Sequence, residues 1–235
     1  MHSESISDER NDISETDKTQ GGMMEMSIKR RAAVLMTVLC MLFAMGTAMA
    51  EESVFYGQND HGVGGTIRVA VTMEGDTIKA IKTLEQMETR GLGTTAILQL
   101  TKDIVASNSL DVDTVSGATL SSIAFTGAVR QAVEAAKGYD PTAEIELGEN
   151  EYLGISNNGL GGRMMVKVSI ENGKISAIDV LEAHESEEIG VAAMNVQIPK
   201  LVESNGEAVD AITGATITCD ALNEAVAAAV AASQK

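Results

Sequence analysis

The chain has 235 residues, with 17 Lys/Arg against 34 Asp/Glu and a formal net charge of −17. A chain this acidic does not bind nucleic acid or an anionic bilayer through its own charge. It has no Trp, three Tyr and three Phe, which argues against an aromatic stacking surface, and its two cysteines are Cys40 and Cys219.

In chain order, residues 1–28 are polar without hydrophobic period and read as a disordered leader. Residues 29–50 read as a signal peptide or membrane anchor. Lys29, Arg30 and Arg31 form a positive start, Ala32 to Ala50 an apolar run, and Ala48-Met49-Ala50 a small-residue end. The small-residue end favours cleavage. The run of 19 residues also approaches the roughly 20 needed to span a bilayer, so membrane association through residues 32–50 stays open. A start at Met23, Met24 or Met26 would give a signal of more ordinary length. Either way the cationic residues stay inside and the remainder is expected outside the cytoplasm. That remainder holds 12 Lys/Arg and 27 Asp/Glu, net about −15. Cys219 is its only cysteine, so it forms no internal disulfide.

From residue 54 onward the sequence repeats itself at an offset of 97 without a gap. Gly64-Gly65 falls on Gly161-Gly162, and Val69 and Val71 on Val166 and Val168. Ala80, Ile81, Leu84, Glu85, Glu88 and Gly93 fall on identical residues of Ala177–Gly190. Such a register means two copies of one small domain, too few for a solenoid. The expected division is 54–137, a linker 138–150 broken by Pro141, and 151–235.

Each copy predicts the same elements. "GTIRVAVTME" and "TIKAIKTLE" alternate and read as an antiparallel hairpin; "RMMVKVSI", Asn172-Gly173 and "KISAIDVLE" repeat it. A helix follows near Thr94–Ser107, and Pro199 is expected to break or restart its counterpart. A last helix carries an apolar stripe of Phe125, Ala128, Val129, Ala132, Val133 and Ala136, matched by Leu222, Ala225, Val226, Ala229 and Val230. The fold class is therefore α+β: two tandem small domains, each an antiparallel β-hairpin or sheet packed on helices.

Before each last helix stands the same turn, "DTVSGATLSS" (Asp113–Ser122) and "DAITGATITC" (Asp210–Cys219). Glycine and alanine let a ligand approach the free N–H groups of a helix start, which favour a phosphate. A threonine hydroxyl there can touch a phosphate or be esterified by one. For one such turn alone a plain N-cap is the better explanation; two in register, each with Asp three residues upstream and Ser/Thr two downstream, shift the balance. No catalytic set or metal site is read elsewhere. His61 and His184 do not match between copies and read as loop or surface residues. Cys219 reads as a buried thiol, and Met164, Met165 and Met194 as core filler.

The two turns resemble the flavinylation motif of FMN-binding domains, such as those in the peripheral flavoprotein subunits of sodium-pumping NADH:quinone oxidoreductase and in extracytoplasmic electron-transfer flavoproteins. "GVGGTIRVAV" and "GLGGRMMVKV" resemble the family's glycine-rich hairpin start. "METRGLG" resembles its Glu-Thr-Pro-Gly segment well, and "HESEEIG" less well. The resemblance implies two FMN groups, joined through phosphate to Thr119 and Thr216 by a separate flavin transferase that uses FAD. It places Asp113, Ser116, Gly117, Ala118 and Ser121, with Asp210, Thr213, Gly214, Ala215 and Thr218, in what the transferase recognises. Glu187 and Glu188, where the family has a small or Pro-Gly pair, are expected to lower the second flavin's potential if they lie close.

A flavin pair points to an exported electron carrier rather than a substrate-converting enzyme. Its partners would be redox proteins or a quinone-linked membrane complex. The alternatives are an accessory electron-donor subunit of a flavin-dependent extracytoplasmic reductase of the fumarate-reductase type, and a non-redox binding module in which both turns are caps.

Overall fold

A computed structural model describes residues 51–234. The expected leader and signal or anchor at 1–50 lie outside the described residues. The described chain folds as two α+β lobes with one topology. Lobe 1 runs β1 (Glu52–Gly62), β2 (Gly65–Glu74), β3 (Thr77–Glu85), α1 (Gly93–Ser107) and α2 (Thr119–Lys137). Lobe 2 runs β4 (Glu151–Gly159), β5 (Gly162–Glu171), β6 (Lys174–Ala183), a π-helical turn (Glu187–Val191), α3 (Ala192–Glu203) and α4 (Thr216–Ala232). Each sheet is antiparallel with its strands in sequence order.

The central strand of each sheet supplies the core. Ile67, Val69, Val71 and Met73 alternate inward from β2 and are buried. They meet Phe125, Ala128, Val129 and Ala132 of α2 and Ile97, Leu100 and Ile104 of α1. In lobe 2, Met164, Val166 and Val168 meet Leu222, Ala225 and Val226. The neighbouring strands do not follow simple alternation. On β3 the pairing shifts between Thr72 and Met73, and this bulge lets Ile78 and Ile81, three residues apart, face the same core.

Strands β1 and β4 were not expected from the residue pattern, and His61, expected in a loop or at the surface, lies near the end of β1. The inward side of β1 carries Phe55, Gly57 and Asn59, hardly an apolar stripe. The reason is the helix above it. A Cβ on Gly57 would collide with the carbonyl oxygen of Ala128, and one on Gly154 with that of Ala225. Backbone meets backbone at both places, so glycine stands where a strand usually places a branched residue.

Pro199 lies inside α3 rather than breaking it. Asn195, whose carbonyl loses its partner to the proline ring, is on the exposed side with Pro199 itself, where water replaces the bond. The π-helical turn before α3 also has a local cause. Lobe 1 turns through Gly91 with φ +77°. Lobe 2 has Glu188 there, which disfavours positive φ. The chain instead winds through a turn in which Val191 N–H donates to Ser186 O at 3.0 Å.

The lobes meet through a one-way contact. Asn59 of lobe 1 donates from Nδ2 to Leu160 O at 2.9 Å. A Cβ on Gly127 of α2 would stand 2.6 Å from Gly161 O, so α2 packs on the tip of the lobe 2 hairpin through glycine. Arg163 holds Glu134 of α2 through two 2.9 Å bonds, binds Glu182 of its own lobe and lies over the ring of Tyr139. The repeat position of Gly127 in lobe 2 is Glu224. It accepts from Ser156 Oγ at 2.8 Å and Asn158 Nδ2 at 2.7 Å within its own lobe.

Gly57→Ala or Gly154→Ala forces a methyl group against backbone that side-chain rotation cannot clear. Each is expected to cost about 1–3 kcal/mol or more. Thermal unfolding checks this, with Ser53→Ala at the solvent-exposed start of β1 as a control expected to change little.

Candidate cofactor site

The two Gly-Ala-Thr turns fold identically. Ala118 N–H donates to Val115 O at 2.9 Å, and Ala215 N–H to Ile212 O at 2.9 Å. The turns need positive φ at their third residue, and Gly117 (+77°) and Gly214 (+89°) supply it. The helices then begin at Thr119 and Thr216, with Ala118 and Ala215 at the N-cap and no side-chain cap. The plain-cap explanation therefore fails in both copies, because no hydroxyl satisfies the first-turn N–H groups. Those groups and the positive dipole end are left facing outward.

Thr119, Thr216, Ser116, Thr213, Gly117, Gly214, Asp113 and Asp210 are exposed. Ala118 and Ala215 are buried, each 5% accessible. Their small size serves packing beneath the turn rather than space above it. Behind each turn a second bond fixes it to the helix. Ser122 Oγ accepts from Val115 N–H at 3.1 Å, and Cys219 Sγ accepts from Ile212 N–H at 3.4 Å. Cys219 is fully buried. The thiol thus takes the structural place of the serine.

One feature of the site carried no functional role in the sequence: the matched pair Glu88 and Glu185. Glu185 accepts from Leu160 N–H at 2.8 Å and from Thr218 Oγ1 at 2.5 Å. Glu88 accepts from Gly64 N–H at 3.0 Å and from Ser121 Oγ. Each carboxylate thereby ties the glycine-rich hairpin tip to the third residue of the helix whose first residue is the exposed threonine. The signal was present, in an identical carboxylate 33 residues before a hydroxyl in both copies. Burial pushes the Glu185 carboxyl above its ordinary range, against the opposing pull of its bonds from Thr218 and Leu160.

A cleft of about 790 Å³ opens at the helix starts. Lobe 2 lines it with Leu160, Glu185–Ile189 and Gly214–Thr218; lobe 1 contributes Val112, Asp113, Thr114, Thr119, Leu120 and Ile123. Thr119 and Thr216 therefore border the same space, as do Glu187 and Glu188. Asp210, Ser116 and Thr213 are not among its lining residues. His184, by contrast, bonds Glu182 at 2.9 Å. Met164, Met165 and Met194 are buried.

Two helix-on-sheet lobes of one topology each present an uncapped helix start whose first residue is a threonine, and free N–H groups there suit an anionic group. The FMN-binding domain model matches residues 62–134 and 159–231, more than half of the chain. The chain belongs to the FMN-binding domain family and is a flavoprotein. It is also 47% identical over 75 residues to a urocanate reductase of Eggerthella lenta. That segment is 32% of this chain and 12% of the relative. The residues present fit the cofactor: free helix-start N–H groups for a phosphate, exposed threonines, and a cleft within the roughly 300–1,000 Å³ typical of a small-molecule site.

A carboxyl whose folded pKa is raised binds more protons in the folded than in the unfolded state. Its contribution to stability is most favourable at acid pH and declines as pH rises from the ordinary glutamate value through the raised one. Glu185→Gln is expected to flatten this decline. Midpoints of thermal unfolding between about pH 4 and 8 check the sign.

Proposed function

We propose that the chain is an exported electron carrier with two FMN groups, each linked through its phosphate to threonine, at Thr119 and Thr216. The observation that carries this reading is the paired, uncapped helix start with its first residue an exposed threonine. The helix dipole and free N–H groups would hold the phosphodiester, and the covalent bond would retain the cofactor where no pool of free FMN is at hand. The flavin supplies one- and two-electron chemistry when bound. The chain's own residues fix the attachment oxygen, wall the cleft and set its charge. Partners would be a flavin transferase and redox proteins, or a quinone-linked membrane complex. Export would depend on residues 29–50.

The match to a urocanate reductase favours a second reading, a donor subunit for a reductase. In that relative a segment of this kind forms a small part of a much longer protein. Here the same kind of module, doubled, would serve a reductase as a separate chain. Co-purification of a reductase from the native host distinguishes this from a general carrier.

Intact mass of protein made with its transferase is expected to show two added FMN groups. Thr119→Ala and Thr216→Ala should each lose one and the double variant both, whereas Ser116→Ala and Thr213→Ala remove no attachment oxygen. Retention of both groups in the double variant would overturn the assignment. Glu187→Gln with Glu188→Gln is expected to raise the potential of the Thr216-linked flavin. Each removed charge is worth on the order of 1 kcal/mol, or roughly tens of millivolts. Spectroelectrochemical titration of the Thr119→Ala background isolates that flavin.

A further inference from the structure

We propose that the two threonines serve one composite chamber, in which each cofactor forms part of the other's wall. This rests on the two-FMN reading above and adds to it. In two independent domains each attachment residue would face its own lobe alone. Here the cleft beside Thr216 is closed on its far side by lobe 1, through Asp113, Thr119, Leu120 and Ile123. A group tethered at either threonine enters space that the other borders.

Two asymmetries direct both groups into this space. A Cβ on Gly117 would find Leu92 Cδ1 at 3.6 Å, whereas one on Gly214 would find nothing within 4 Å. Lobe 1 is thus partly filled beside its own turn, and lobe 2 is open. The lobe contact is also one-way. Gly127 lets α2 seat on the lobe 2 hairpin tip, and Glu224 occupies the equivalent position on α4. Lobe 1 is therefore carried against the lobe 2 site, and among the described residues nothing is carried against the lobe 1 hairpin in the same way: Val63, the repeat partner of buried Leu160, is 58% exposed. The cleft is acidic as well. Asp113, Glu185, Glu187 and Glu188 line it, with no Lys or Arg among the described residues that do. Charge on one bound group is then felt by the other without a nearby cation to cancel it.

The test uses the full chain loaded by its transferase, with loading counted by intact mass. In the doubly loaded protein, energy passes between identical flavins that share a chamber. Its flavin fluorescence anisotropy should fall below that of both Thr119→Ala and Thr216→Ala, and its absorption should depart from the sum of theirs. A second variant avoids double loading. Leu120→Trp in the Thr119→Ala background places the chain's only tryptophan on the lobe 1 wall, where it should quench the flavin on Thr216. Circular dichroism checks that each variant folds. Additive spectra, unchanged anisotropy and an unquenched flavin would overturn the shared chamber while leaving two covalent flavins in place. Protein with no added flavin mass overturns the covalent reading and this proposal together.

Discussion

The carboxylate that joins hairpin tip to helix start, buried in Glu88 and half-buried in Glu185, is the interaction on which the site depends. A helix N-terminus presents free donors only if nothing caps it, and an uncapped start lacks the bond that normally fixes it. Glu88 and Glu185 resolve this conflict. They hold the helix through its third residue, Ser121 or Thr218, and through no group of the first turn's outer side. The position is fixed from below, so the donors above stay free. Truncating such a carboxylate would leave a buried hydroxyl and a backbone N–H without partners, so the arrangement is held as a unit.

The same economy appears in the turn itself. Gly117 and Gly214 bend the chain, Ala118 and Ala215 fill the space beneath, and Ser122 or Cys219 closes the loop from behind. Every side chain with a structural task points inward. What remains outside is one threonine, its neighbouring hydroxyl and an aspartate. Under the proposed covalent linkage, a modifying enzyme would reach these without unfolding anything.

Much of this was legible in the sequence. The ungapped repeat fixed two equivalent lobes, alternation located β2 and β5, and the 3.6-residue stripe located α2 and α4. What stayed hidden has physical reasons. Strands β1 and β4 carry Gly57 and Gly154 where an apolar residue would have announced them, because helix backbone occupies that space. The bulges on β3 and β6 hide their inward residues behind a spacing of three. Pro199 is tolerated because its lost bond faces water. At the site, both threonines stood out, but the carboxylate clamp spans 33 residues and depends on tertiary placement. The shared cleft depends on Gly127 being glycine and Glu224 not, a difference that has no meaning until the lobes are docked.

That difference also explains how a duplicated domain stops being two identical domains. Had both lobes kept a glycine at the position of Gly127, each could receive another hairpin tip, and a head-to-tail contact of this kind would propagate between chains. Glu224 ends the series by bonding Ser156 and Asn158 of its own lobe. The single remaining contact puts one lobe's helix start against the other's cleft. In lobe 2 a π-helical turn stands where lobe 1 has the Gly91 turn, and it brings Glu187 and Glu188 to that cleft. Duplication supplied two equivalent helix starts. Differences at two positions, Gly127 against Glu224 and Gly91 against Glu188, make their surroundings unequal, so two flavins held there, as proposed, would differ in potential and would give electrons a direction.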